Sequence, residues 1–523
     1  MVPARGEIDR VMPMPLSDLV LDQLSGALTA ARTSVTATRL VELCRHVRAT
    51  GGALVTLWGE DLRREGQGFR LCVVLQQDAR LIVAELILPT ADLVFPNLAE
   101  IFPSAARLQR AVHDLVGLRA LGGDARPWLR HAAWPADVFP LRHDAPVAAT
   151  DLADDYAFVR VEGEGVHEIP VGPVHAGTIE PGHFRFSVVG EKVLRLEERL
   201  GFAHKGIEKR AEGLDVMAGA RLLARTCGDS AAAYAWAYAM AVEAITGTSP
   251  TPRALVLRGL LLERERIANH VGDIGGIAND AGFAFGLVQC SRLKEDLLHV
   301  NARVWGRRYP LDAIVPGGVR DDVDADAAQV LLADLGALEA ELLRLREIYD
   351  NHAGLQDRFI GAGTVSQELA AKLGVVGLAA RASGRTQDWR RALPVAPYAA
   401  AAIAPVVRPA GDVAARVAVR FDETLDSIGL CRAWLAALPD GELVVPLGAA
   451  RTDALGLGGV EGWRGPVLVA VRLDANARIA RCHPHDPSWH NWPVLEHAII
   501  DNIVPDFPLI NKSFNLAYSG HDL

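Results

Sequence analysis

Residues 171–213 read VGPVHAGTIEPGHFRFSVVGEKVLRLEERLGFAHKGIEKRAEG, and the fold turns on this stretch. Its middle alternates apolar and polar residues, as a pair of strands joined by polar turns does. Around that hairpin stand His175, His183 and His204, in segments rich in Gly and Pro. Loops of this kind between rigid elements are where binding and catalytic groups tend to be placed. After Lys205 the pattern changes to helical spacing.

Downstream the chain stays mostly helical. Residues from Ala231 are Ala-rich, and Pro252–Arg307 reads as a long helical region interrupted at GDIGGIANDAGFAFG (272–286). DADAAQVLLADLGALEAELLRLREIYDNH and GDVAARVAVRFDETLDSIGLCRAWLAAL carry apolar residues at helical spacing. GPVLVAVRLDANARIARCHP reads as two strands across a turn. Upstream, FVRVEGEGVHEI is strand-like, and a segment rich in Pro, Ala and Asp at 140–157 breaks all periodicity. Before that break, RLVELCRHVRAT (Arg39–Thr50) and SAARLQRAVHDLVGLRA read as helices, and ALVTLWGED and FRLCVVLQQ as strands. The architecture expected is an α/β part with its own core, then a mainly helical part with small β pieces.

The 523 residues are half hydrophobic and 23% charged, with a net charge of −10, which argues against a general nucleic-acid binder. Six scattered cysteines form no CxxC pair, as expected in a reducing compartment. The N-terminus lacks the basic start and apolar block of a signal peptide, and AAAYAWAYAMAV (Ala231–Val242) is too short to span a membrane. The chain is therefore expected to be soluble and cytoplasmic.

Two motifs invite specific chemistry. GLGGVEGWRG (Gly456–Gly465) precedes a strand, whereas a dinucleotide loop follows one and opens a helix, so it is not read as a nucleotide site. RCHPHDPSWH clusters Cys482, His483, His485 and His490. Zinc would accept such ligands, but neighbours on a strand point to opposite faces. A solvated strand end is the expectation.

The opening block resembles the signature shared by the 49-kDa-type subunit of respiratory complex I and the large subunit of membrane-bound, formate hydrogenlyase-like nickel–iron hydrogenases. LLLERERIANHVGDIGGIANDAGFAF, VPGGV, RASGRTQDWRR, GGVEGWRG and DFPLINKSFNLAYSGHDL resemble later blocks of that family. RLQRAVHDLVGL and RPWLRHAAWPADVFPLRHDAP resemble the 30-kDa-type subunit of complex I. The fold class implied is α+β. A complex I 30-kDa-like α/β domain spans 1–145, a linker 146–157, and a mainly helical hydrogenase large-subunit-like domain 158–523.

In such hydrogenases two CxxC pairs supply four soft thiolates to nickel and iron. At the first pair this chain has Cys227 and Ser230, and at the last it has Ala517 and Gly520, with Asn515 where an aspartate is usual. One thiolate of four remains, so a nickel–iron centre is not expected. The chain stops three residues beyond Gly520, where hydrogenases carry a tail that is cut after nickel insertion, so no such processing is expected. The resemblance implies that the vacated cavity takes a quinone or similar acceptor. Glu208 corresponds to a proton-relaying glutamate, Arg464 to an arginine over the metal site, and His175 to a histidine reaching the quinone. A structural ion pair is the alternative for Glu208 and Arg464. If desolvated, Glu208 is expected to have a raised pKa. The partners implied are a small subunit with a 4Fe–4S cluster and membrane ion-translocating subunits, which would hold the chain at the cytoplasmic face of the membrane. The rival readings are a working hydrogenase with unusual ligands and a non-catalytic scaffold.

Overall fold

The computed structural model describes residues 19–131, 133–146, 156–175, 179–451 and 454–523. Half of the break at 140–157, residues 147–155, therefore lies outside the described residues. The N-terminal part is a five-stranded sheet of β1 (Asp22–Leu24), β2 (Ala30–Ser34), β3 (Ala53–Asp61), β4 (Phe69–Gln77) and β5 (Arg80–Leu88), in the order β1-β2-β5-β4-β3. Only β2 and β5 run parallel. Helices α1 (Ala37–Ala49) and α2 (Ala105–Val116) accompany it, each placed as the periodicity predicts. Thr36 caps α1 by accepting from the Arg39 amide.

The second part begins with a sheet of β6 (Val166–Val171), β7 (His183–Val189) and β8 (Lys192–Arg199). The strand expected from Phe158 starts only at Val166, after a turn at Gly163 and Gly165. A short helix α3 (Ile207–Ala211) follows, then the central helix α4 (Ala231–Thr246). Fifteen of its sixteen residues are buried, so the alanine run is the hub of the core. No helix among the described residues is long and apolar enough to cross a membrane.

The long helix α5 (Pro252–Asp280) runs straight through Gly272, Gly275 and Gly276, and the break before α6 (Ala284–Trp305) comes at 281–283. The glycines instead let helices approach: a Cβ on Gly275 would stand 2.7 Å from the Cys290 Cβ of α6. The C-terminal sheet is β9 (Leu455–Glu461), β10 (Pro466–Leu473) and β11 (Ile479–His485), all antiparallel. Its glycine run has the same purpose. A Cβ on Gly456 or Gly458 would lie 2.0 Å from the Ala241 carbonyl oxygen or 1.9 Å from that of Ala237, both on α4. Strand and helix touch backbone to backbone.

Two expectations are overturned here. The N-terminal part does not keep a separate core, since one apolar cluster runs from Leu98 and Phe102 through Leu196 to Ala254 and beyond. Nor is β11 solvated: Cys482, His483, His485 and His490 are all buried. The sheet face that alternation assigned to water is covered by β3. Arg481 donates to the Gly59 carbonyl, the His483 ring meets Thr56 Oγ1 at 2.9 Å, and the His490 ring meets the Val55 carbonyl at 2.8 Å. Arg472 of β10 reaches across to both Glu60 and Glu85. The seam between the two parts is thus polar and charged although it is buried.

Candidate functional site

The turn before α4 carries Cys227, Asp229 and Ser230, and Ser230 is the residue from which that helix starts. The tight turn between β9 and β10 carries Arg464, closed by reciprocal backbone hydrogen bonds between Gly462 and Gly465. From the C-terminus comes α7 (Phe507–Phe514), which ends at Asn515 with φ 44°, a left-handed conformation that Asn tolerates better than most residues. Three distant segments therefore meet.

Arg464 joins them. Its two terminal nitrogens each lie 2.6 Å from one oxygen of Asp229, a bidentate pair. Its Nε donates to the Asn515 carbonyl, and it lies 3.4 Å from Ser230 Oγ and 3.8 Å from Cys227 Sγ. Its guanidinium stacks 3.9 Å above the Trp463 ring. Asn515 Nδ2 donates to Asp273 at 2.6 Å, and Asp273 in turn accepts from Arg420. Arg464 is 5% exposed, whereas the Asp229 side chain remains 36% exposed, so the pair is approached from the aspartate side.

Cys227 Sγ lies 3.0 Å from Asp229 Oδ1 and 3.7 Å from Ser519 Oγ. The second contact brings the C-terminal segment against the first ligand turn, 292 residues away in sequence. Ala517 is held by its amide to Ser488 Oγ and by its carbonyl to the Trp492 indole. At Gly520 a Cβ would stand 2.3 Å from Asp486 Oδ2, and that same oxygen accepts from the Tyr234 hydroxyl at 2.7 Å. The cavity expected between these positions is thus occupied on two sides by protein groups, the Asp486 carboxylate and the Arg464 guanidinium.

The electrostatics follow from burial and neighbours. Burial pushes the Cys227 thiol well above its ordinary pKa and Asp229 pushes it further, so it stays protonated at neutral pH. Burial would raise Asp229 too, but the charge and hydrogen bonds of Arg464 prevail and hold it at about 2. A nickel–iron centre does not fit this donor set. It needs thiolates, and the one sulfur present is a protonated, hydrogen-bonded thiol. Among the described residues no group of three or more His, Cys, Asp or Glu could hold a metal ion.

Glu208 and His175 are placed differently. Glu208, on α3, is 5% exposed, and its polar partners are His483 and Arg481 rather than Arg464 or Cys227. It pairs with His483 and, at 3.2 Å, with Arg481. Its expected raised pKa is corrected: burial raises it, but Arg481 and His483 outweigh that and bring it down to about 2. The link from its helix to the site is through the C-terminus. Lys205 Nζ donates to the Ser519 carbonyl, and the Lys205 amide to that of Leu523. His175 is partly buried at the rim, where its ring meets the Gly182 carbonyl at 2.8 Å. Residues 176–178 of its loop lie outside the described residues, but Glu180 further along accepts from the Ser519 amide.

Sequence reading missed Asp229, Asp486, Tyr234 and Asp273. Asp229 stood between the two ligand positions, as the only charged residue of CGDS, and that was a usable signal. Asp486 was absorbed into the supposed solvated strand end.

Comparison with known proteins gives a consistent picture. Residues 33–151 match the family of the respiratory-chain NADH dehydrogenase 30 Kd subunit, and residues 280–454 that of the 49 Kd subunit. Formate hydrogenlyase subunit 5 of Escherichia coli (strain K12) is 30% identical over 423 residues, covering 79% of this chain and 74% of its own length. The carbon monoxide-induced hydrogenase of Rhodospirillum rubrum is 31% identical over 354 residues, covering 67% of this chain and 97% of its own. Among solved structures, the membrane-bound sulfane sulfur reductase, an archaeal respiratory membrane complex, has a chain that superposes with a TM-score of 0.65 at 25% identity. That match covers 69% of this chain and 99% of that one.

Proposed function

This chain belongs to the family of complex I 49-kDa-type and membrane-bound hydrogenase large subunits, joined to a 30-kDa-type N-terminal part, and we propose that it reduces an organic acceptor beside Cys227 and Arg464, where the sequence resemblance would place a nickel–iron centre. The observation that carries this reading is the donor set: Cys227 alone remains, as a thiol bonded to Asp229, beside the Arg464–Asp229 pair. A quinone headgroup is the acceptor we favour. Arg464 would stabilise negative charge developing on a carbonyl oxygen, and Asp229, open on one side, borders its approach. The six cysteines are all free and buried, and none are grouped to bind an iron–sulfur cluster. Electrons would therefore come from a 4Fe–4S cluster on a small partner subunit, and ion-translocating membrane subunits would hold the complex at the cytoplasmic face.

The docking surface we propose lies around His175 and leaves out Glu208 and β11. Glu208 and β11 are covered by the chain's own N-terminal part. Around His175, however, Val174 is 90% exposed and Ile179 is 36% exposed, and these apolar groups are available to a partner. Metal analysis of the purified complex tests the central claim. Nickel well below one atom per chain is expected, and a stoichiometric content would restore the hydrogenase reading.

The likeness to the membrane-bound sulfane sulfur reductase favours a second reading, a sulfane-sulfur acceptor, for which Cys227 would first have to lose the proton that burial and Asp229 hold on it. Cys227→Ser separates the two. Under the quinone reading, reduction of a soluble quinone analogue by the assembled complex should change only slightly. Under the sulfur reading, polysulfide reduction should be abolished.

A further inference from the structure

A second cavity lies in the seam between the two parts, away from Arg464's side chain. It has a volume of about 250 Å³ and is bounded by Gly51–Val55 at the start of β3 and by Gly374–Gly377, with Trp389 and Pro466 among its apolar walls. At its inner end is His485, which is 1% exposed. Neither ring nitrogen of His485 has a hydrogen-bond partner among the described residues. A buried imidazole offers one donor and one acceptor, and leaving both unmade is costly. Burial, then His490, lower its pKa well below the ordinary value, so the ring is neutral.

Arg385 also lines the cavity and is half-buried. Its Nε donates to Gln387 Oε1 at 3.1 Å, and it forms no ion pair with any described carboxylate. Burial lowers its pKa and the neighbouring Arg48 lowers it further. Of the two acidic residues at the cavity, Glu461 is bound to Arg381 and the Trp389 amide, and Asp78 is exposed on its turn. An apolar slot thus has an unmatched guanidinium and an unmatched imidazole.

We propose that this cavity binds a small planar organic acid, its carboxylate on Arg385 and a second polar group on His485. The volume falls just under the roughly 300–1,000 Å³ of sites for drug-sized ligands, which suits a molecule of about one ring. Its apolar walls take the ring, and a carboxylate matches a guanidinium that has no acid of its own. Gly377 (φ +62°) lies against the backbone of Arg464, where a Cβ would meet the Arg464 carbonyl oxygen at 1.9 Å. The ligand would therefore sit behind the turn that presents Arg464, as a site separate from it.

The test uses 3-bromo-4-hydroxybenzoate soaked into crystals of the full chain and located by its bromine anomalous signal. A peak between Gly51–Val55 and Gly374–Gly377 is expected; no peak, or one only elsewhere, overturns the proposal. In solution, Arg385→Gln should weaken binding of this acid about tenfold or more, as loss of a charge-assisted contact does. It should leave 2-bromophenol binding unchanged. Equal loss for both probes would mean that Arg385 only shapes the wall, and would also overturn it. Because neither readout involves acceptor reduction, failure here leaves the proposed function untouched.

Discussion

Arg464→Met will leave the complex assembled and nearly devoid of acceptor reduction. Methionine keeps much of the length and apolar bulk of the side chain but none of its donors. The variant loses both contacts to Asp229 and the one to the Asn515 carbonyl. Loss of one preorganised donor at developing negative charge costs about 10²–10³ in rate. The stability cost should be smaller, about 1–2 kcal/mol, because Asp229 is more than a third exposed and water screens its unpaired charge. Steady-state turnover and urea unfolding of the same preparation check both. Near-normal turnover would reduce Arg464 to a structural ion pair and favour the scaffold reading.

Arg472→Met should have the largest effect on stability. The arginine is 9% exposed and spans Glu60 and Glu85, which are 4% and 7% exposed. Removing it leaves Glu60 and Glu85 to share Arg70 alone in the seam, and breaking a buried pair costs about 3–5 kcal/mol, towards the lower end here because Arg70 remains. Thermal unfolding should show the loss, with a double Glu60→Gln, Glu85→Gln background recovering part of it. The same seam governs acid stability. Burial would raise Glu60, but Arg472 and Arg70 hold it at about 2, and Glu208 is likewise at about 2. Groups depressed in the folded state stabilise it above their unfolded pKa near 4.5 and lose that contribution as pH falls towards 2. Stability measured by urea unfolding should thus decline through that window, and less steeply in Glu208→Gln.

Much of the site was legible because it is built from contiguous motifs. Cys227, Ser230 and Arg464 each sit in a short recognisable block, and blocks that keep their pattern keep their turns, so these residues could be expected to converge with Asn515. The local strands ALVTLWGED and FRLCVVLQQ were readable to the residue because β-branched and aromatic residues end at charged turns. What failed was inference about coverage. PVLVAV (466–471) is an unbroken apolar run that only Arg472 ends, the signature of a strand buried on both faces, and its hairpin partner should have been read the same way. RCHPH obscured this, because its second face is buried against Thr56, Glu208 and the Gly59 carbonyl rather than against hydrocarbon. The pKa of Glu208 was misjudged for the same reason. The expectation was conditional on burial, which holds, but Arg481 and His483 are more than 270 residues away in sequence and no local pattern joins them to it.

The charged seam has a consequence for biosynthesis. Glu85 and Arg472 are 387 residues apart, so at about 5–20 residues per second the ribosome takes on the order of 20–80 s to deliver the arginine. Through that interval the nascent N-terminal sheet has only Arg70 for its acidic pair, and β3 lacks its cover from β11. The N-terminal part thus cannot reach its final form during its own translation, and maturation of the whole molecule waits on nearly its last strand.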